Sequence, residues 1–159
     1  MLKKVRVKIV TDRTEMKGSL FEGGVVENKA AESTHLEMTV QARYYDDGER
    51  VNIGYTESEA SGMEGSKTTI TYQKNAPGLV SILRTGSVKT ALVFEKGRRH
   101  HCVYQTPIMP FEVSVHTTEV KNDLEGAGTL YLDYAVELRG AQAERTRMTL
   151  SLLPDFDTP

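Results

Sequence analysis

With 159 residues, 38% of them hydrophobic and 26% charged, the chain is long enough to bury one core and too apolar to be a disordered tail. Its 20 basic and 22 acidic residues leave a net charge of −2, which removes the electrostatic ground for wrapping nucleic acid. The charged start MLKKVRVKIVTDR reaches no apolar run of signal or membrane length, and the single Cys102 permits no internal disulfide, so one cytoplasmic domain over residues 1–159 with no membrane partner is expected.

From Lys3 to Val10 the chain alternates, with Val5, Val7 and Ile9 on one side and Arg6 and Lys8 on the other, which predicts a first strand. Between Thr11 and Ser33 the period dissolves around Gly18, Gly23 and Gly24. That stretch reads as a long loop, either mobile or a lid. Leu36–Tyr45 and Val51–Glu57 then form a hairpin about the Asp47-Gly48 turn. Further strands are expected at Ser66–Gln73, Leu79–Arg84, Val88–Glu95, Arg99–Thr106, Phe111–Val120, Thr129–Leu138 and Arg145–Leu152, each separated by a Gly- or Pro-containing turn. The clearest is Thr129–Leu138, where strict alternation puts Leu132 inside and Glu137 in solvent.

Consecutive short strands with no helical period between them cannot build a parallel sheet with helical crossovers. Sequential hairpins favour an all-β fold, an antiparallel up-and-down barrel of about eight to ten strands, which also hides its edges.

The segments YYDDG, YTESEASGMEGSKTTITY, SILRTGSVKTALVFEKGRRHHCVYQTP and LEGAGTLYLDYAVEL closely resemble the YwiB-like family of uncharacterised bacterial β-barrel proteins, a domain of unknown function. The resemblance covers roughly Leu36 to Leu152. It implies a calycin-like barrel of lipocalin type and no known activity. The chain has no tryptophan, so the Gly-x-Trp strand of true lipocalins is absent and their ligand chemistry does not carry over.

Several side chains are candidates for chemistry. Glu57 continues the inward phase of Val51, Ile53 and Tyr55, but buried carboxylates are rare unless paired, so the strand is expected to end there and leave Glu57 in water. If it points inward it needs a cation. Arg84, at the strand end before Thr85-Gly86, could reach across the barrel mouth to bind a carboxylate or phosphate, or else stay solvated. Tyr55, Tyr72, Tyr104 and Tyr134 fall on inner phases, where they either line a cavity or fill the barrel.

The dense basic run Lys96–His101 (KGRRHH) reads as a polar turn rather than a phosphate grip, because no aromatic residue interleaves it. Gly62-Met63-Glu64-Gly65 matches a phosphate-gripping loop by letters alone and reads as a β-turn. His100 and Cys102 share a face, and a zinc site would need His116 from a neighbouring strand as well, so no metal is expected. No nucleophile elbow or cofactor motif occurs, and no cofactor is expected.

Three functions follow from these readings. In the leading one the barrel binds a small, partly apolar or anionic molecule at Glu57, Arg84, Tyr104, Tyr134 and His100. The second is a structural or interaction protein, a homodimer with a filled barrel. The weakest is an enzyme using Glu57 and His100 as acid and base.

Overall fold

The computed structural model describes residues 2–15, 32–57, 65–86, 89–105, 109–138 and 141–153. Ten antiparallel strands make one sheet: β1 (Leu2–Glu15), β2 (Glu32–Asp46), β3 (Arg50–Thr56), β4 (Lys67–Gln73), β5 (Ala76–Thr85), β6 (Thr90–Glu95), β7 (Arg99–Gln105), β8 (Pro110–Asp123), β9 (Thr129–Leu138) and β10 (Ala141–Leu153). Their order is β6-β5-β4-β3-β2-β1-β10-β9-β8-β7, so each strand lies beside its neighbours in sequence and the first strand pairs with the last. No helix occurs among the described residues. The ends of the sheet meet through the Lys89–Gln105 bridge, whose two backbone hydrogen bonds are both 2.9 Å long. The result is a nearly closed up-and-down barrel.

Alternation explains the interior. Val7 and Ile9, Val51 and Ile53, Ile70 and Tyr72, Val80 and Ile82, Leu92 and Phe94, Leu130 and Leu132, and Met148 and Leu150 all turn inward and are buried together. At one end the tight turns close the barrel. Asp47 Oδ1 accepts the backbone N–H groups of Glu49 and Arg50 at 2.9 and 2.7 Å, an Asx turn that fixes the β2–β3 hairpin. Beside it Lys74 Nζ bridges Asp46 (2.6 Å) and Glu125 (3.2 Å), and Leu124 is buried over the core.

The strands run further than their apolar residues. β1 and β2 pair from Leu2–Tyr45 to Glu15–Glu32, so Thr11–Glu15 and Glu32–Ser33 belong to strands and not to the expected long loop. Backbone pairing and cross-strand polar contacts sustain this part, such as His35 Nδ1 at 2.5 Å from Asp12 and Arg13 Nε at 3.1 Å from Glu144. The rest of the expected loop lies outside the described residues, as does Gly62-Met63-Glu64.

Candidate functional site

One group of inward polar residues lies towards the end opposite the tight turns, where the odd-numbered strands finish, while Tyr44 and Tyr72 lie at the tight-turn end near Asp46 and Glu125. Cross-strand pairing sets the group opposite the tight turns in two arcs. One runs through Tyr55–Thr68, Thr68–Arg84 and Arg84–Thr90, and the other through Thr117–Tyr134, Tyr134–Thr146 and Thr146–Arg13. A glycine shapes the first arc. Gly86 has φ +142°, and a Cβ there would lie 2.6 Å from Ser66 Oγ, so only glycine lets the end of β5 close onto the start of β4 beside Arg84.

Glu57 follows β3 directly and is only 4% exposed, which overturns the expectation that it stands in water. Its burial is compensated. Thr68 Oγ1 donates to Glu57 Oε1 at 2.7 Å, and Arg84 Nε lies 3.8 Å from the same oxygen. That distance is an ion pair but too long for a hydrogen bond, and Arg84 Nε is buried with no hydrogen-bond acceptor. The Arg84 side chain keeps 20% of its exposure, so its other end reaches the mouth. The hydroxyls of Thr90 and Thr117 are likewise buried without a partner.

Tyr104 and Tyr134 lie within the field of Arg84. Burial pushes both phenols up, Tyr104 to about 12, and the guanidinium draws each part of the way back. Burial raises Tyr55 too, and the charge of Glu57 adds to the effect. Folded protein therefore holds these protons more tightly than the unfolded chain, whose phenols titrate near about 10. Stability present below that value is lost as pH rises from it towards about 12. We expect ultraviolet phenolate absorbance from these tyrosines to appear only together with alkaline unfolding. A full reversible titration near the ordinary phenol range, with the fold intact, would show that they are not buried as described.

Glu57, Arg84, Tyr104 and Tyr134 are thus brought together, and His100 is not. His100 is half-buried with Nε2 3.2 Å from Glu95, at the far end of β6 from Thr90. An acid–base pair of Glu57 and His100 has no geometry here. Cys102 and His100 point inward, whereas His116 pairs with Arg99 on the outward phase, so the three do not converge. Burial raises the Cys102 thiol, away from a reactive thiolate.

Much of the basic run Lys96–His101 is already engaged. Lys96 meets Glu119 at 3.2 Å, Arg99 grips Glu137 with two bonds of 2.5 and 3.3 Å, and Ser114 lies 2.8 Å from His101. Glu137, expected in solvent, is therefore clamped, with its carboxyl held below the usual range by Arg99. Sequence reasoning missed Thr68, Thr90, Thr117 and Thr146, whose small polar side chains occur on inner phases without any motif to mark them.

A family model described as "Domain of unknown function (DUF1934)" matches residues 22–150. The crystal structure of the ywiB protein from Bacillus subtilis is similar over 96% of both chains, with a TM-score of 0.65 and 16% sequence identity. These matches bear out the resemblance read from the sequence and the barrel fold. None of the curated proteins compared matches the chain.

Proposed function

The chain belongs to the DUF1934 family of domains of unknown function, and from the polar end of its barrel we propose that it binds a small anionic molecule there, anchored by Arg84. The observation that carries this reading is the Arg84 guanidinium. It is partly buried, it stands 3.8 Å from its only near carboxylate among the described residues, and its Nε finds no acceptor. Such a group gains from a bidentate carboxylate or phosphate more than a solvated arginine does. Glu57, Tyr104 and Tyr134 surround it, and the hydroxyls of Tyr104 and Tyr134, protonated at neutral pH, are donors for the same anion. The middle of the barrel is occupied by Phe94, Ile53, Ile70, Leu132 and their neighbours, which favours an anion at the mouth over an apolar guest within.

A second reading rests on the outer face of β5 to β7. Leu83 (48% exposed) pairs with Ala91, and Val103 lies two residues from the Lys89–Gln105 bridge, giving an uncovered apolar strip suited to a second copy of the chain.

Native mass spectrometry of freshly purified protein tests both readings. A small added mass that disappears in Arg84→Ala supports the anion site, and a mass of two chains that Leu83→Glu reduces to one supports the dimer. A bare single chain, unchanged by added small carboxylates, overturns both.

A further inference from the structure

Where β2 and β3 part company, an open groove of about 500 Å³ lies against the sheet, its base formed in part by Tyr55 and Thr68, the residues that begin the first polar arc. Their last shared rung is Arg43–Gly54, beyond which β2 continues only with β1. The groove is lined by Lys4 of β1, Gln41 and Arg43 of β2, Gly54 and Thr56 of β3 and Lys67 of β4, together with inner-phase residues at its base.

Its charge is one-sided. Lys4 and Arg43 stand directly opposite each other on neighbouring strands, and Lys67 follows two strands further on. Among the described residues no carboxylate lies within ion-pair distance of any of the three. Like charges set directly opposite in a sheet destabilise it, so this arrangement costs stability unless an anion sits between them. Lys74, Lys96, Arg99 and Arg145, by contrast, each hold a carboxylate.

The floor of the groove is the second, independent observation. Gly54 lies inside strand β3, outside the left-handed region, so no turn demands it. Packing does not demand it either. A Cβ placed there would meet nothing closer than Thr69 Oγ1 at 3.8 Å and the Thr68 carbonyl at 3.9 Å, ordinary contact distances. A mid-strand glycine weakens a strand and marks a bulge, a bend in a barrel wall or a place where a ligand or another backbone approaches closely. Here the missing side chain opens the space between Arg43 and Thr69, with Lys67 two residues along β4 from Thr69 and roughly 12 Å from Arg43 by strand spacing and rise.

We propose that this groove binds the phosphate groups of a small phosphorylated molecule, with Lys4, Arg43 and Lys67 around its oxygens and Gly54 beneath it. Three cations spread over this width fit a diphosphate better than a single carboxylate, and Thr56 and Thr69 add hydroxyl donors at the walls. The volume suits one small molecule of nucleotide size.

The test uses pyrophosphate as the probe, measured by calorimetric titration and thermal unfolding. Wild-type protein should gain more in melting temperature from pyrophosphate than from sodium chloride of equal ionic strength. Gly54→Val should keep or raise the melting temperature of the free protein while weakening pyrophosphate by about tenfold or more, since it improves the strand and fills the site. Arg43→Gln should likewise weaken binding without lowering free-protein stability. An Arg43→Gln protein that loses pyrophosphate binding while keeping the small added mass that Arg84→Ala removes separates the groove from the mouth, so failure of either site shows separately. Equal stabilisation by salt, or undiminished binding in Gly54→Val, overturns the proposal. So does a single-stranded oligonucleotide that binds more tightly than pyrophosphate and is lost in Arg43→Gln, because the surface would then read a polymer.

Discussion

Arg84→Ala should lower the free energy of unfolding by about 3 kcal/mol, because it strips the only ion-pair partner among the described residues from a carboxylate that is almost wholly out of water. The Glu57–Thr68 hydrogen bond and the neighbouring Tyr55 hydroxyl remain, but neutral donors do not offset the lost hydration of a carboxylate. The loss belongs to the pair rather than to arginine packing alone, and a double-mutant cycle separates the two. Glu57→Gln keeps an acceptor for Thr68 and removes the charge, so adding it to Arg84→Ala should restore most of the stability. Urea unfolding of the four proteins measures this directly. If Arg84→Ala unfolds at the wild-type midpoint, the ion pair contributes nothing and the anchoring role given to Arg84 falls with it.

Phe94→Ala should cost about 3 to 5 kcal/mol, the range for emptying a fully buried aromatic site that cannot collapse. Its ring centroid lies 4.6 Å from that of Tyr134 at an interplanar angle of 55°, so the change also loosens the wall of the polar mouth. The control is Leu83→Ala on the outward face of β5, where 48% exposure limits the loss to roughly 0.5 kcal/mol. Thermal and urea unfolding should rank the two far apart. Comparable losses would mean that β5 and β6 are turned over in register.

The barrel was legible because period-two alternation is a local property: every strand that carries it, from Val5–Ile9 to Met148–Leu150, points its apolar residues where the sequence says. Strand ends were less legible. Thr11–Glu15 offers no apolar face, yet pairing with both β2 and β10 keeps it in the sheet, and that pairing is between segments far apart in the chain.

The site divides in the same way. Alternation puts Tyr104 and Tyr134 on the inside and carries that phase on to Glu57, while Arg84 stands out only as a cation at a strand end; the partners that make burial of Glu57 tolerable sit on other strands, so the usual rarity of buried carboxylates pointed to solvent. His100 shows the complementary limit. Alternation says which side of the sheet a residue faces and nothing of its height along the barrel, and His100 lies at Glu95 rather than at Arg84. Basic residues were deceptive for a similar reason. Within the dense run at Lys96–His101, Lys96, Arg99 and His101 are already engaged by Glu119, Glu137 and Ser114, while Lys4, Arg43 and Lys67, scattered in sequence, meet only when the four strands β1 to β4 are laid side by side.

The pairing of β1 with β10 bears on how the protein is made. Strands β1 to β6 form one consecutive meander and β7 to β10 another, and ten rungs from Arg6–Leu153 to Glu15–Glu144 sew them together, against a single bridge at Lys89–Gln105. During translation the first meander is complete while β10, the partner of that edge of β1 among the described residues, has not yet left the ribosome. The nascent chain is therefore most exposed to pairing with other chains in the interval before β10 emerges. Closing over nearly the whole length of the chain also makes the final step slow for a domain of this size. Changes in β10 that spare the folded state should still reduce the yield of protein reaching it.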